Sequence, residues 1–232
     1  MVFVTAEIGV NWDGNFELVE KMIKKSRDVG CQAVKFQAFN EETVKNHPEK
    51  KRLLKNSITE ENIEKINEIS KNVGIEWFCT PMYTGAVDML EPFVKKFKIR
   101  EYDSRDILKG EKNKVFEKVL ETGKEVIISC STSPKSSEFY NNPKIKWLYC
   151  VPKYPCKFND LDFSNLDEYD GYSNHCPHFL APLVSAVLGA NIIEIHITSD
   201  KSKNFLDNNV SFDYDELKKS MNLLTDLKDI RI

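Results

Sequence analysis

Two histidines near the end of the chain could bind a metal ion. His175 lies in the stretch GYSNHCPH and His196 in IIEIHIT, and each follows a run of apolar or aromatic residues. Neutral imidazole nitrogens are good ligands for Mn, Co, Zn and Fe. Two histidines of an ordinary protein core would show the same local pattern, so the residues around them must decide between a metal site and a core.

Polar residues alternate with apolar ones in two short runs that otherwise have the composition of strands. In KFQ, Lys35 and Gln37 point to one face, and in EIHIT so do Glu194, His196 and Thr198. Because a buried polar group without a partner costs free energy, such a face is unusual for a plain core. The pattern therefore favours a functional site in both runs.

Strand-like and helix-like segments alternate along the chain. Eight short apolar runs occur, and most are followed by an amphipathic segment. This order predicts a parallel sheet with right-handed crossovers. Eight units within 232 residues favour the α/β class and a single (β/α)8 TIM barrel over residues 1–232. A doubly wound open sheet is the alternative, although no GxGxxG fingerprint follows the first strand.

Three segments depart from the regular alternation. The segment SPKSSEFYNNP after strand five has proline near both ends and little apolar periodicity, so we expect a shortened helix there, or a single turn. The segment LDFSNLDEYD after strand six indicates a short irregular crossover. The charged stretch 40–57 indicates a long surface excursion.

The carboxyl ends of the predicted strands carry a mixture of acidic, basic and imidazole groups. In a barrel of this kind the active site lies at that end, formed by residues from several strands. The polar residues predicted there include Glu7, Lys35, Gln37, Thr80, Lys98, Arg100, Glu101, Ser129, Tyr154, Ser173, His175, Glu194 and His196.

Composition and charge exclude several classes of protein. A net charge of −3 lacks the basic excess of a nucleic-acid surface. The N-terminus has no signal-peptide pattern, and the apolar stretch 179–197 is interrupted by Pro182, Glu194 and His196, which argues against a membrane span. Six cysteines without a CxxC pair indicate reduced thiols. We therefore expect a cytoplasmic protein.

Five short motifs together resemble the sialic acid synthase (N-acetylneuraminate synthase) family. AEIG, KFQ, CTP, GYSNH and IEIH occur in the family's order and near its spacing, and the resemblance extends over nearly the whole chain. It implies a (β/α)8 catalytic barrel that condenses phosphoenolpyruvate with an N-acetylated amino sugar to give a nonulosonic (sialic-acid-like) acid and phosphate. It also implies a divalent metal, with Mn²⁺ favoured and Zn²⁺, Co²⁺ or Mg²⁺ as alternatives.

The resemblance also implies roles for individual residues. His175 and His196 match the metal ligands and are candidate catalytic residues together with the acids Glu7 and Glu194. Residues that match substrate-binding positions are Lys35, Thr80 and Lys98 for phosphoenolpyruvate, and Gln37, Tyr154, Ser173 and Asp207 for the substrate pocket.

Two residues of the predicted site depart from the family pattern in ways that matter for substrate binding. Glu101 stands where the family usually has serine, and its carboxylate would repel a phosphate unless it is protonated or turned away. Arg100 or Arg105 could compensate for this charge. Pro152 replaces a common asparagine and has no backbone N–H to donate.

The resemblance covers the catalytic barrel of the family only. We expect no C-terminal antifreeze-like domain. The expected partners are the two small-molecule substrates, and a homodimer or a separate chain that supplies the missing domain stay open as alternatives. Two other functions also stay open: a non-catalytic or repurposed sugar-binding barrel that acts in a complex, and another metal-dependent aldolase or lyase.

Overall fold

Eight parallel strands close into a barrel in the computed structural model of the chain, which describes residues 2–230. They follow one another in chain order, and β8 pairs with β1 from Phe3↔Ile192 to Glu7↔His196. The predicted (β/α)8 barrel is therefore confirmed, and the open sheet is wrong. The strands are β1 (Phe3–Glu7), β2 (Ala33–Ala38), β3 (Glu76–Pro81), β4 (Lys96–Ile99), β5 (Glu125–Cys130), β6 (Ile145–Cys150), β7 (Gly171–Asn174) and β8 (Ile192–His196).

Helices surround the barrel and bury their apolar faces against it. In α1, for example, Val19, Met22 and Ile23 are buried at helical spacing, and the Asn15 side chain caps the first turn by accepting from the Leu18 N–H. The helices are α1 (Phe16–Asp28), α2 (Lys50–Lys55), α3 (Ile63–Val73), α4 (Thr84–Leu90), α5 (Glu101–Leu108), α6 (Lys114–Glu121), α7 (Leu180–Val187) and α8 (Tyr214–Asp226).

The outer layer is thin after β5 and β6, as predicted. A single 3₁₀ turn, Pro134–Ser136, follows β5, and two such turns, Phe158–Asp160 and Leu166–Glu168, follow β6. Between β4 and β5 the sequence pattern predicted one helix, whereas the structure has both α5 and α6. The pattern missed α5 because this charged segment buries only Glu101, Ser104 and Ile107.

The charged stretch 40–57 is only partly the surface excursion that its composition predicted. It contains α2, and Leu53 and Leu54 pack against a small cluster of Val10, Phe39 and Val44 above the barrel. The stretch also includes the buried Asn56. The prediction was wrong for this part because a few apolar residues are enough to anchor a charged segment.

The strand register places polar side chains of neighbouring strands at the same height inside the barrel. Glu7 of β1 is level with Lys35 of β2 on one side and with His196 of β8 on the other. Ser173 of β7 is level with Glu194 of β8. The fold thus brings together residues that are nearly the whole chain apart.

Two further expectations concern the cysteines and the apolar stretch 179–197. All six cysteines are buried, and the structure contains them as free thiols. The apolar stretch forms α7, a turn and β8. Within residues 2–230, every helix falls short of the length and apolar character that crossing a membrane demands.

Candidate active site

A cavity of about 320 Å³ opens at the carboxyl ends of the strands. This is the end of a (β/α)8 barrel at which active sites lie. All eleven residues singled out from the sequence contribute to its wall, although their roles stay predictions. They are Glu7, Lys35, Gln37, Thr80, Lys98, Tyr154, Ser173, His175, Glu194, His196 and Asp207.

Lys35 links the first three strands through its ammonium group. Its Nζ lies 2.9 Å from Glu7 Oε1 and donates to Thr80 Oγ1 at 3.2 Å. Gln37 Nε2 donates to the same Glu7 oxygen at 2.9 Å. The second oxygen, Glu7 Oε2, is buried and accepts no hydrogen bond from any residue that the structure describes. Since buried carboxylate oxygens are normally satisfied, this atom is suited to accept a hydrogen bond from a ligand or from water.

Glu194 connects two lysines at the centre of the cavity. Lys98 Nζ donates to both of its oxygens, at 3.1 and 2.9 Å, and Ser173 Oγ donates to Oε1 at 3.1 Å. Lys35 Nζ lies 3.7 Å from the same Oε1. The two buried ammonium groups therefore share one carboxylate.

Burial and charge act in opposite directions on these groups. Burial alone would raise the pKa of Glu194, but Lys35 and Lys98 outweigh it and lower that pKa. Burial would lower the pKa of Lys35, yet Glu194 and Glu7 raise it above its ordinary value. Glu194 would raise the pKa of Lys98, but burial together with the charge of Lys35 outweighs this effect and lowers that pKa. Glu194 is consequently ionised at neutral pH.

His175 presents an unprotonated nitrogen to the cavity. Its Nδ1 lies 2.8 Å from the Val151 carbonyl oxygen, which can only accept, so Nδ1 carries the proton. Nε2 then accepts from the Tyr154 hydroxyl at 2.8 Å. Burial, followed by the neighbouring His196, lowers the pKa of His175 to about 3. This imidazole is therefore neutral at physiological pH, and its Nε2 lone pair can bind a ligand once the Tyr154 hydroxyl turns away.

His196 faces His175 across the cavity, with ring centroids 5.4 Å apart. Its Nδ1 lies 3.2 Å from Asp207 Oδ2, a close charged contact without good hydrogen-bond alignment. Burial favours the neutral ring, but Asp207 and then Glu7 outweigh it and raise the pKa of His196. Asn11 holds the loop that carries Asp207, because its Oδ1 accepts from the Asp207 N–H at 2.9 Å.

The two imidazoles fit the donor chemistry of a metal site, but they supply only two ligands. Within the described part of the chain, no group of three or more His, Cys, Asp or Glu side chains is arranged to hold a metal ion. A divalent ion held by His175 and His196 would thus need further ligands from water or substrate. Catalytic metal sites keep such positions open.

Glu101 is compensated by Arg105 and not by Arg100. Arg105 donates to the carboxylate through two nitrogens, Nε to Oε1 at 3.0 Å and Nη2 to Oε2 at 2.7 Å. Arg100 instead pairs with Asp103, its Nε lying 2.5 Å from Oδ2. Pro152 lines the cavity without a donor, as its sequence position indicated.

Sequence reasoning gave no role to six residues of the cavity wall, one of which is the buried Cys150 beside His175. Val10, Leu53, Met82 and Tyr102 form apolar parts of the mouth, and Leu53 comes from the stretch interpreted as a surface excursion. Ser129 was noted at a strand end but given no role. Its buried hydroxyl has no hydrogen-bond partner within residues 2–230 and lines the cavity. Ser129 alternates with Ile128 and Cys130 on β5, and a hydroxyl on the face opposite to theirs was the available signal.

Sequence comparison places this barrel among known proteins. A profile of the NeuB family matches residues 22–231. The chain belongs to the NeuB family. It is 31% identical over 238 residues to an uncharacterized protein of Methanocaldococcus jannaschii, with 95% of this chain and 69% of that protein covered. It is 28% identical over 260 residues to the N,N'-diacetyllegionaminic acid synthase of Legionella pneumophila, with 98% of this chain and 71% of that protein covered.

A solved structure of a NeuB-like enzyme has the same architecture. The crystal structure of an N-acetylneuraminic acid (sialic acid) synthetase from Leptospira borgpetersenii superposes with a TM-score of 0.85 and 28% identity. The alignment covers 98% of this chain and 84% of that one. The resemblance to the sialic acid synthase family is confirmed, and the chain is an enzyme of this acid-synthase type.

Proposed function

We propose that this NeuB-family enzyme condenses phosphoenolpyruvate with an (N-acetyl)amino sugar in a metal-dependent reaction. Carbon three of phosphoenolpyruvate adds to the aldehyde carbon of the open-chain sugar, water adds to carbon two, and phosphate leaves. The product is a nonulosonic, sialic-acid-like 2-keto acid. The named relatives, which are acid synthases, support this type of product.

One observation carries the proposal: two buried lysines share Glu194 in the same cavity as a pair of facing imidazoles. An ammonium group has three donors, and the two bonds of Lys98 to Glu194 leave it one donor for a ligand oxygen. The hydroxyls of Thr80 and Ser129 also line this part of the wall. Lysines and hydroxyls together suit a ligand that carries both a carboxylate and a phosphate.

The remaining roles follow from the side chains as they are placed. Glu7 Oε2 has a vacant acceptor position, so it would orient the attacking water or hold a proton released from it. His175 and His196 would hold the divalent ion, with Mn²⁺ favoured. When bound, such an ion supplies polarisation of the aldehyde oxygen. Tyr154, Gln37 and Asp207 would contact the sugar.

The direct test is a calorimetric titration of phosphoenolpyruvate into the purified protein, with and without Mn²⁺. We expect saturable binding with an affinity in the range of about 1 μM to 1 mM that is usual for enzyme substrates. Binding would justify a screen of amino sugars for formation of a 2-keto acid. Absence of binding under both conditions would contradict the proposal and leave a sugar-binding barrel or another aldolase.

The metal part of the proposal has its own test. His196→Ala should lower the Mn²⁺ bound per chain, measured by equilibrium dialysis, because it removes one of only two imidazole ligands. His47→Ala is the matched control, since His47 is exposed on the stretch 40–57 and does not line the cavity. Equal Mn²⁺ content in both variants and the unaltered protein would contradict this assignment.

A further inference from the structure

Glu101 adds a fourth carboxylate to the cavity wall, which contains three cations. The carboxylates are those of Glu7, Glu101, Glu194 and Asp207, and the cations are Lys35, Lys98 and Arg100. A phosphate-bearing substrate brings further negative charge into this space. Repulsion between like charges at close range weakens binding, and it does so more strongly where water is excluded. An anion therefore binds here only if the charge of Glu101 is neutralised or turned away.

Glu101 differs from the other acids of the cavity in where its partner lies. Glu7 and Glu194 face lysines that line the same cavity. The partner of Glu101 is Arg105, one helical turn further along α5, and Arg105 is not part of the cavity wall. The positive charge that pairs with Glu101 thus comes from a residue outside the cavity wall.

The contacts of Glu101 fix it in one orientation. The two-pronged bond from Arg105 occupies both of its oxygens, and Ser131 Oγ donates to Oε1 at 2.7 Å from the loop after β5. Fork geometry of this kind restricts the carboxylate more than a single bond does. The guanidinium of Arg105 also lies 5.8 Å from the centre of the Tyr102 ring, which lines the mouth.

We propose that Arg105 is a positioning residue for anion binding. It neutralises Glu101 and holds it against the loop after β5, so that Lys98 and the mouth of the cavity remain available to a phosphate group. The inference rests on the proposed function only in the choice of phosphoenolpyruvate as one of two test anions. Inorganic phosphate is the other, and it makes no assumption about the reaction.

The experiment is a double-mutant cycle on Glu101 and Arg105, read out by calorimetric titration of both anions. Arg105→Ala should weaken binding by about tenfold or more, since the carboxylate is left unpaired and free to turn inward. Glu101→Gln should bind at least as tightly as the unaltered protein. The double variant should return to within about threefold of the unaltered protein, because the charge that needed Arg105 is gone. Lys24→Ala, which breaks an i,i+4 pair with Glu20 on α1, is the charge-matched control and should change nothing.

The outcomes separate this inference from the proposed function. Binding of phosphate but not of phosphoenolpyruvate by the unaltered protein would end the proposed function, while the cycle measured with phosphate still decides the role of Arg105. Binding by Arg105→Ala within about twofold of the unaltered protein would overturn the inference. The inference would also be overturned if the double variant bound the anions as weakly as Arg105→Ala, or if the unaltered protein bound neither anion. If Arg105→Ala does not fold, Arg105→Gln removes the same charge and is judged by the same criteria.

Discussion

Glu194 is the residue through which most of the charged groups of the cavity are connected. It accepts from Lys98 and Ser173, lies near Lys35, and is itself buried. A buried ion pair is a weak source of net stability, but the loss of one partner is costly because it leaves an uncompensated charge. Fold stability alone therefore does not account for this arrangement.

Removal of Lys98 alone should therefore destabilise the fold more than removal of the whole pair. We expect Lys98→Met to lower the free energy of unfolding by about 3 kcal/mol, because Lys35, at 3.7 Å, compensates Glu194 only in part. The double variant Lys98→Met/Glu194→Gln should lower it by clearly less. Urea titrations at neutral pH measure both values. Equal losses in the two variants would show that the charge left on Glu194 is not what destabilises the single variant.

At the scale of secondary structure, α2 fixes the loop that follows β1. Arg52 donates to Asp13 through Nε at 2.9 Å and Nη2 at 2.8 Å. Asn56 Oδ1 accepts from the backbone N–H groups of Trp12 and Asp13. Asp13 has a positive φ of 47°, a conformation that asparagine and aspartate tolerate better than most residues. The contacts of α2 thus stabilise an unusual turn directly beside the cavity.

This contact predicts a pH-dependent contribution to stability. Burial would raise the pKa of Asp13, but hydrogen bonds from Arg52 and Asn56 outweigh it and lower that pKa. A carboxyl group with a lowered pKa in the folded state stabilises the fold above its unfolded pKa of about 3.9, and the contribution disappears as pH falls through the lower, folded value.

We therefore expect Arg52→Ala to cost about 1 kcal/mol at pH 7, and its difference from the unaltered protein to shrink below about pH 4. Urea unfolding between pH 7 and pH 3.5 measures this difference. Lys118→Ala, which removes an exposed pair with Asp88, is the control and should show a small effect at every pH. A difference for Arg52→Ala that stays constant on acidification would refute the argument.

A second prediction at this scale concerns the close approach of β7 and β8. A Cβ atom on Gly171 would lie 1.9 Å from the Ile192 backbone oxygen, so the backbone must shift to accept any side chain. We expect Gly171→Ala to destabilise the protein by about 3 kcal/mol, at the upper end of the usual cost of overpacking. Gly85→Ala is the control, because its Cβ would meet only the Tyr83 ring, at 3.2 Å. Thermal unfolding of the two variants gives the comparison, and similar midpoints would contradict the prediction.

At the scale of the whole molecule, closure of the barrel is what assembles the site. The pairing of β1 with β8 sets Glu7 level with His196, and the loop after β8 returns Asp207 to Asn11. A closed barrel has no free sheet edges, so one part of it cannot unfold without exposing the strands of the rest.

Unfolding should therefore be cooperative across the barrel. Trp12 follows β1, Trp77 lies in β3 and Trp147 in β6, and all three are buried. The test uses three variants, each of which retains one of these tryptophans and has phenylalanine in place of the other two. In each variant, urea unfolding followed by fluorescence should have the same midpoint as unfolding followed by far-ultraviolet circular dichroism. Separate fluorescence and dichroism midpoints would show that parts of the barrel unfold independently.

Much of the architecture follows from local patterns. The alternation of apolar and polar residues predicted a shared face for Lys35 and Gln37 in KFQ, and for Glu194 and His196 in IEIH. The order of strands and helices predicted a barrel of eight units. The weak periodicity after strand five predicted the lone 3₁₀ turn at Pro134–Ser136. These features depend on residues close together in the chain, so the sequence alone was sufficient.

The pairing of the charged residues could be decided only by the tertiary structure. The sequence indicated that Glu194, Lys98 and Glu101 are polar residues at strand ends. It could not show that Lys98 pairs with Glu194 across the barrel, or that Arg105 rather than Arg100 neutralises Glu101. Local patterns also could not show that the stretch 40–57 contributes Leu53 to the cavity mouth. The physical reason is that side-chain periodicity specifies which way a residue points, whereas its partner depends on strand register and barrel closure, which juxtapose residues far apart in the chain.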